Sequence, residues 1–337
     1  MTALLHPAVL FFLLGLFAGA VRSNLEIPAA ISRFLALYLL MALGLKGGQS
    51  LAVTGLTPEV ITTLKLSLLL ACVIPVIGFL ALRRVTHAYN AVSIAATYGS
   101  VSAVTFITAG EFLDVRGIPH GGYMAACMAI MESPAVIFAV VIANLVRKGR
   151  MPDARPLRYG GDVHLPTAGA PHKGGFLGVL HESFTDGGQL LLLASMLIGY
   201  LMGPEGAAAM KPFSADLFTG MLAFFLLDMG LLTAKSIPAL KGQSVLLLGY
   251  AVTAPLLHAL IALILSAIGG LAAGDAILLC VLAASASYIA VPAVLREAIP
   301  EADASLYLGL SLGITFPLNI LIGIPLYTAV VRFFWGV

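Results

Sequence analysis

The sequence predicts an all-α polytopic membrane protein of about ten transmembrane helices in two inverted five-helix repeats. Three observations carry that expectation. Of 337 residues, 60% are hydrophobic and only 10% charged, and the mean hydropathy is +1.03, a balance that soluble domains do not keep. Apolar runs able to cross about 30 Å of hydrocarbon recur roughly ten times. Two of those runs, at corresponding places in the two halves, are interrupted by small and polar residues.

The first run, near 5–21, has no basic leader and no small-residue cleavage site, so Pro7 to Val21 reads as a membrane helix and not as a signal peptide. Spans are then expected near 29–46, 60–82, 87–112 and 119–146. The stretch 147–175 is rich in glycine, proline and basic residues without an apolar period, which predicts a solvated linker. Five further spans follow, near 182–202, 213–233, 242–268, 274–297 and 303–334. Five is odd, so the second half, 176–337, enters from the face opposite to the first, 1–146, and a shared fold makes the halves inverted repeats. Pro119 opens the fifth span as Pro300 precedes the tenth. Met131-Glu132-Ser133-Pro134 in the fifth holds the place of Gly313-Ile314-Thr315-Phe316-Pro317 in the tenth.

Most of the 18 basic residues fall on one side of this arrangement, which predicts both termini outside and the linker in the cytoplasm. The net charge of +2 is spread over loops and helix ends and gives no nucleic-acid surface. Cys72, Cys127 and Cys280 lie in apolar runs without metal-ligand spacing, so neither a disulfide nor a metal site is expected. His164, His172 and His181 lie in or beside the linker and read as solvated. No glycine-rich phosphate loop and no His-Glu-x-x-His pattern occurs, so no enzyme is expected.

The interrupted segments are Ser93 to Val115, containing Tyr98-Gly99-Ser100-Val101-Ser102, and Leu279 to Ile299, containing Ser285-Ala286-Ser287-Tyr288-Ile289-Ala290-Val291-Pro292. Unwound backbone at membrane depth is tolerated only where it lines a cavity and meets a solute, so the pair points to a secondary transporter. Half-helices restarting near Val101 to Thr105 and near Ile289 to Ala293 would aim their positive dipole ends at the membrane centre, which favours an anionic substrate. Hydroxyls of Ser100, Ser102, Thr105, Ser285 and Ser287, with freed carbonyls, would supply hard oxygen ligands for a coupling cation such as sodium. Small residues also let helices pack closely; a matched pair of breaks favours the functional reading.

Glu132 lies mid-span in the fifth helix, placed to be a cation ligand or a proton carrier. Asp228 near the end of the seventh span reads either as a gate residue or as an interfacial one. Asn319 after Pro317 could complete a polar lining; His258 reads as a packing residue, and Glu111 and Asp114 as solvated.

At these residues the chain resembles the sodium-dependent bicarbonate transporter family best known from cyanobacteria, over nearly its whole length. Ile27-Pro28-Ala29-Ala30-Ile31 leading to Gly44-Leu45-Lys46-Gly47-Gly48 resembles the family's second span. Ile118-Pro119, Met131-Glu132-Ser133-Pro134-Ala135 and Val141-Ile142-Ala143-Asn144 resemble its fifth. His181-Glu182-Ser183, Ala254-Pro255-Leu256-Leu257-His258 and Gly323-Ile324-Pro325-Leu326-Tyr327 follow in the same order. The resemblance implies a gate domain (the first two spans of each repeat, within 1–82 and 182–233), a core domain (87–146 and 242–334, with the end of 1–82) and a homotrimer. It implies inward symport of bicarbonate with sodium across a bacterial inner membrane. A trimeric regulator of the PII type docks on cytoplasmic faces of cyanobacterial members. By position, Gly99, Val101, Ser102 and Thr105 match the first serine motif, and Ala284, Ser285, Ser287, Ile289, Pro292, Leu295 and Arg296 the second.

Departures from the cyanobacterial pattern concentrate in these motifs. Ala103 and Val104 stand for Gly and Ser, Tyr288 for an aspartate, Ala290 for a serine, Val291 for a glycine, Ala293 for a proline, and Glu132 for an aspartate. Fewer cation-binding oxygens and a more apolar site leave open a larger organic carboxylate, or a proton as coupling ion through Glu132. From other classes, a passive channel needs a continuous polar path, whereas the polar residues cluster at mid-depth. A transporter-like sensor needs a signalling domain, and the short polar linker cannot fold as one.

Overall fold

The computed structural model describes residues 6–148 and 187–337, and the described residues are helical with no strand. The expected linker, apart from Arg147 and Lys148, lies outside them, as do His164, His172 and His181. Three helices open the chain: α1 (Pro7–Ala20), α2 (Ala29–Thr54) and α3 (Pro58–Leu82). Two half-length helices follow, α4 (Ala88–Gly99) and α5 (Ala103–Asp114), and then α6 (Met124–Arg147). The second half runs through α7 (Gly187–Leu201), α8 (Gly203–Lys211), α9 (Phe218–Ser236) and α10 (Val245–Gly269). Two more half-length helices, α11 (Ala273–Ala284) and α12 (Ala290–Ala298), lead into α13 (Ala304–Trp335).

Seven of the helical segments are long and apolar enough to cross a membrane, with 88–114 taken as one, and α1, α7 and α11 are shorter apolar helices. Their outward faces carry exposed Leu68 and Leu69 on α3 and Leu257 and Leu260 on α10, as a hydrocarbon surrounding requires. Both expected interruptions are present, between α4 and α5 and between α11 and α12. Boundaries differ where packing overrides local pattern. The second helix continues to Thr54, past its expected end at 46, because Gly47 and Gly48 lie against neighbouring backbone and need no side-chain packing of their own. The seventh span, expected from 213, is approached through α8 and a π-helical turn, Pro212–Asp216, that accommodates the amide missing at Pro212.

Two helix pairs form close contacts of the same kind. The second helix lies along α7, and a Cβ added to Gly48 would stand 1.9 Å from the Met196 carbonyl oxygen. The first lies along α9, where Gly15 meets the Leu227 carbonyl and Gly230 meets that of Phe12. Without a hydrophobic force between helices in lipid, such backbone approaches supply the van der Waals contact that holds them.

Helix ends are fastened by specific groups. Thr57 caps α3 by accepting from the Val60 amide at 3.3 Å, with Pro58 in the first turn. Arg147, ending α6, donates to Glu301 at 2.8 and 2.7 Å and to the Ala298 carbonyl at 2.8 Å, tying α6 to the end of α12. Burial disfavours the charged Glu301, but the Arg147 hydrogen bonds outweigh it and hold that carboxyl below its ordinary range. Asp114 is exposed and pairs with His120 at 3.0 Å, in line with its expected solvation. Glu111 departs from expectation: it is buried and accepts a hydrogen bond from Thr219, because α9 crosses the end of α5 there.

Gly48→Leu forces a side chain into the α7 backbone and should cost about 3 kcal/mol, lowering the melting temperature of detergent-solubilised protein. Gly110→Ala, where nothing lies within 4 Å of the added carbon, should be neutral or stabilise by up to about 1 kcal/mol. Equal melting temperatures for the two variants would refute backbone contact as the basis of the α2–α7 pair.

Candidate functional site

The two breaks lie against each other. In the first, Ser100, Val101 and Ser102 are unwound, with Ser100 and Ser102 in extended conformations. In the second, Ser285 to Ile289 separate α11 from α12. The Ser102 amide donates to Ser285 Oγ at 2.9 Å, and the Ser287 amide donates to the Thr97 carbonyl at 2.8 Å, so each break supplies a partner for backbone freed in the other. The Ser285 hydroxyl in turn donates to the Leu282 carbonyl at 2.8 Å. Ser102 Oγ caps α5, accepting from the Thr105 amide at 3.2 Å and from the Thr105 hydroxyl at 3.0 Å. Ser287 Oγ performs the same service for α12, accepting from the Val291 amide at 3.2 Å. Pro292 occupies its first turn, where a missing amide leaves no bond unmade.

Neighbouring helices hold the breaks in place. Gly99, the last residue of α4, lies on Pro75 of α3; a Cβ there would come within 2.6 Å of the proline ring. The last helix, α13, contains two π-helical turns, Ser311–Thr315 and Asn319–Gly323, on either side of Pro317. Thr315 donates to the Ala251 carbonyl at 2.8 Å and meets the Tyr98 hydroxyl at 2.6 Å. Asn319 donates to the Ala284 carbonyl, at the lip of the second break, at 2.8 Å and accepts from the Tyr327 hydroxyl at 3.0 Å.

A cavity of about 260 Å³ opens where the N-termini of α5 and α12 converge. It brings together Val101, Ser102, Ser287, Tyr288, Ile289 and Glu132 from the sequence-derived set. Ala103 and Val104 also line it, and their amides, at the start of α5, have no helical carbonyl a turn behind them. Glu132 is half-buried on α6. The Tyr288 ring packs edge-on against Phe316 at 5.2 Å, and its hydroxyl makes no hydrogen bond of normal geometry among the described residues.

Other candidates stand apart from the cavity wall. Ser285 and Thr105 bond Ser102 from behind, and Gly99 packs on α3. The buried Ser100 hydroxyl has no partner among the described residues. Asn319, expected as a cation ligand, is fully buried with both ends of its amide engaged, so its present contacts are those of a positioning residue. Asp228 is buried on α9, hydrogen-bonded to Ser32, with Oδ2 unpartnered among the described residues. His258 is buried on α10, and its Nδ1 has no partner among the described residues.

Two wall residues escaped the sequence reading. Arg33 of α2 was visible only as one positive charge among many near helix ends. Gln189 donates to the Ala129 carbonyl at 3.1 Å and to Ser133 Oγ at 3.2 Å, bracing α7 against α6; nothing in its local sequence marks it. Among the described residues no group of three or more His, Cys, Asp or Glu side chains gathers for a metal ion. The oxygens at hand are hydroxyls, carbonyls and the Glu132 carboxylate, a set that suits a hard monovalent cation beside an anion held by amides and hydroxyls.

A family model described as the Na+-dependent bicarbonate transporter superfamily matches residues 7–332, nearly the whole chain. No curated protein matches it.

Asn319→Leu strips the Ala284 carbonyl and Tyr327 hydroxyl of a buried partner and should cost about 1–3 kcal/mol, read as a lowered melting temperature. Ser285→Ala should cost a similar amount, whereas Ser100→Ala, whose hydroxyl has no partner among the described residues, should change stability by less than about 0.5 kcal/mol. Equal losses for all three would show that the cross-bonds do not hold the breaks.

Proposed function

The chain belongs to the Na+-dependent bicarbonate transporter superfamily, and from that premise we propose that it is a secondary transporter carrying a small anion inward with sodium. Bicarbonate is the cargo to which the family points. The observation that carries this reading is the convergence of two half-helix N-termini, one from each half of the chain, on one cavity.

In this reading the anion sits between the starts of α5 and α12. The amides of Ala103 and Val104 and the hydroxyls of Ser102 and Ser287 donate to it. Sodium takes oxygens of the same unwound segments, and Glu132 offsets its charge across the cavity. Ser285, Thr105 and Asn319 keep the two breaks in register. Burying either ion alone in a membrane is costly, so the pair moves together more readily than apart.

The pairing of α1 with α9 and of α2 with α7 supports inverted repeats, because it exchanges the first two spans of each half symmetrically. Those four helices form the gate, and the helices carrying the breaks form the core. Movement of the core against the gate would expose the cavity alternately to the two faces. The bias of basic residues supports both termini outside and the linker in the cytoplasm of a bacterial inner membrane. A homotrimer, and a regulator of the PII type on the cytoplasmic face, rest on the family resemblance.

Proteoliposomes containing the purified protein should take up radiolabelled bicarbonate under an inward sodium gradient and stop when choline replaces sodium. Ser102→Ala should raise the apparent KM by about tenfold, the loss of one hydrogen bond to a charged ligand, without loss of folded protein. Uptake that ignores sodium would refute the coupling, and an unchanged KM would remove Ser102 from the site.

A further inference from the structure

We infer that this site takes a monocarboxylate with a short hydrocarbon body, its charge met from the gate side by Arg33. The inference rests on the transport reading above and names the cargo more closely. Three features of the cavity support it.

The first is size. The cavity, at about 260 Å³, is several times larger than bicarbonate, which fills roughly the volume of two waters at about 30 Å³ each. The second is the wall. Beside the hydroxyl-bearing breaks, Arg33, Glu132 and Gln189, the lining is largely apolar and includes Leu37 and Leu40 of α2, Met128 of α6, Leu192 of α7 and Phe225 of α9. Bicarbonate is polar on every side and needs hydrogen-bond partners all round, which these side chains cannot give. A short alkyl group buries apolar surface against them instead.

The third is charge. Among the described residues Arg33 is the only basic one lining the cavity, and it makes no ion pair or hydrogen bond with any of them. Its guanidinium presents the planar fork that matches a carboxylate. One cation, with Glu132 also on the wall, suits a single negative charge and disfavours a dicarboxylate. Arg33 lies on α2 and the breaks belong to the other helix group, so a carboxylate held by both would couple cargo binding to their approach.

Short-chain acids cross lipid in protonated form, so the test is equilibrium binding to detergent-solubilised full-length protein by titration calorimetry in sodium chloride. Affinity should rise from acetate to propionate to butyrate by about fourfold per methylene, and succinate should bind more weakly than butyrate. Arg33→Gln should weaken all three monocarboxylates by about tenfold while keeping the dependence on chain length, and Arg33→Lys should recover part of the loss. Arg33 is exposed, so neither variant should disturb folding.

Sodium-driven bicarbonate uptake is measured alongside. Uptake without any butyrate binding would overturn this inference and leave the transport reading standing. A flat chain-length series, or succinate binding more tightly than butyrate, would also overturn it. Butyrate binding without bicarbonate uptake would support the inference and remove bicarbonate as the cargo. If protein that is monodisperse in detergent does neither, both readings fall.

Discussion

Every backbone amide and carbonyl freed inside a membrane has to find a partner, and the structure is arranged around meeting that demand at two places. The breaks after Gly99 and after Ala284 meet it largely by bonding each other, Ser102 to Ser285 and Ser287 to Thr97. Either segment alone would leave buried polar groups unpaired. Together they form a crossing beside which the first residues of α5, Ala103 and Val104, line the cavity.

The crossing in turn explains features elsewhere in the chain. Two π-helical turns in α13 bring Thr315 and Asn319 to carbonyls of α10 and α11 that regular geometry would miss. Pro75 of α3 supports the end of α4, and this contact is possible only because residue 99 has no side chain. Two polar side chains in the second half, Thr315 and Asn319, therefore stabilise a site that neither of them lines. Hydrogen-bond networks of this sort are fully satisfied or costly, which makes the positioning residues as exacting as the ones that touch cargo.

Around the crossing, cohesion comes from two different sources. Glycines let α1 approach α9 and α2 approach α7 backbone to backbone, giving firm pairs without polar bonds. The helices that carry the breaks are linked by hydroxyls, amides and the Arg147–Glu301 ion pair. In the cavity lining, Leu37, Leu40, Leu192 and Phe225 of the first group, with Arg33 and Gln189, meet the serines of the two breaks from the second. Apolar surfaces slide with little loss, whereas a hydrogen-bonded network keeps its shape, so this division suits a carrier in which one part moves and the other holds cargo.

Hydropathy, the two interrupted runs and the serines within them were readable from the sequence because each is a local property: a segment's length, composition and inability to stay helical in lipid. From these follow the helical membrane class, both breaks, and attention to Ser102, Ser287, Tyr288 and Ile289, which line the cavity. What could not be read locally was which hydroxyl faces the cavity and which faces another break. Ser285 and Asn319 look like ligands in the sequence, yet the structure turns them to Ser102 and Ala284. Glu111 looks solvated at the end of its span until α9 covers it. Arg33 and Gln189 carry no local mark, since their place at the cavity depends on helices far away in the chain. Composition and period fix what each segment is; partners brought together over long sequence distances decide what each polar side chain is for.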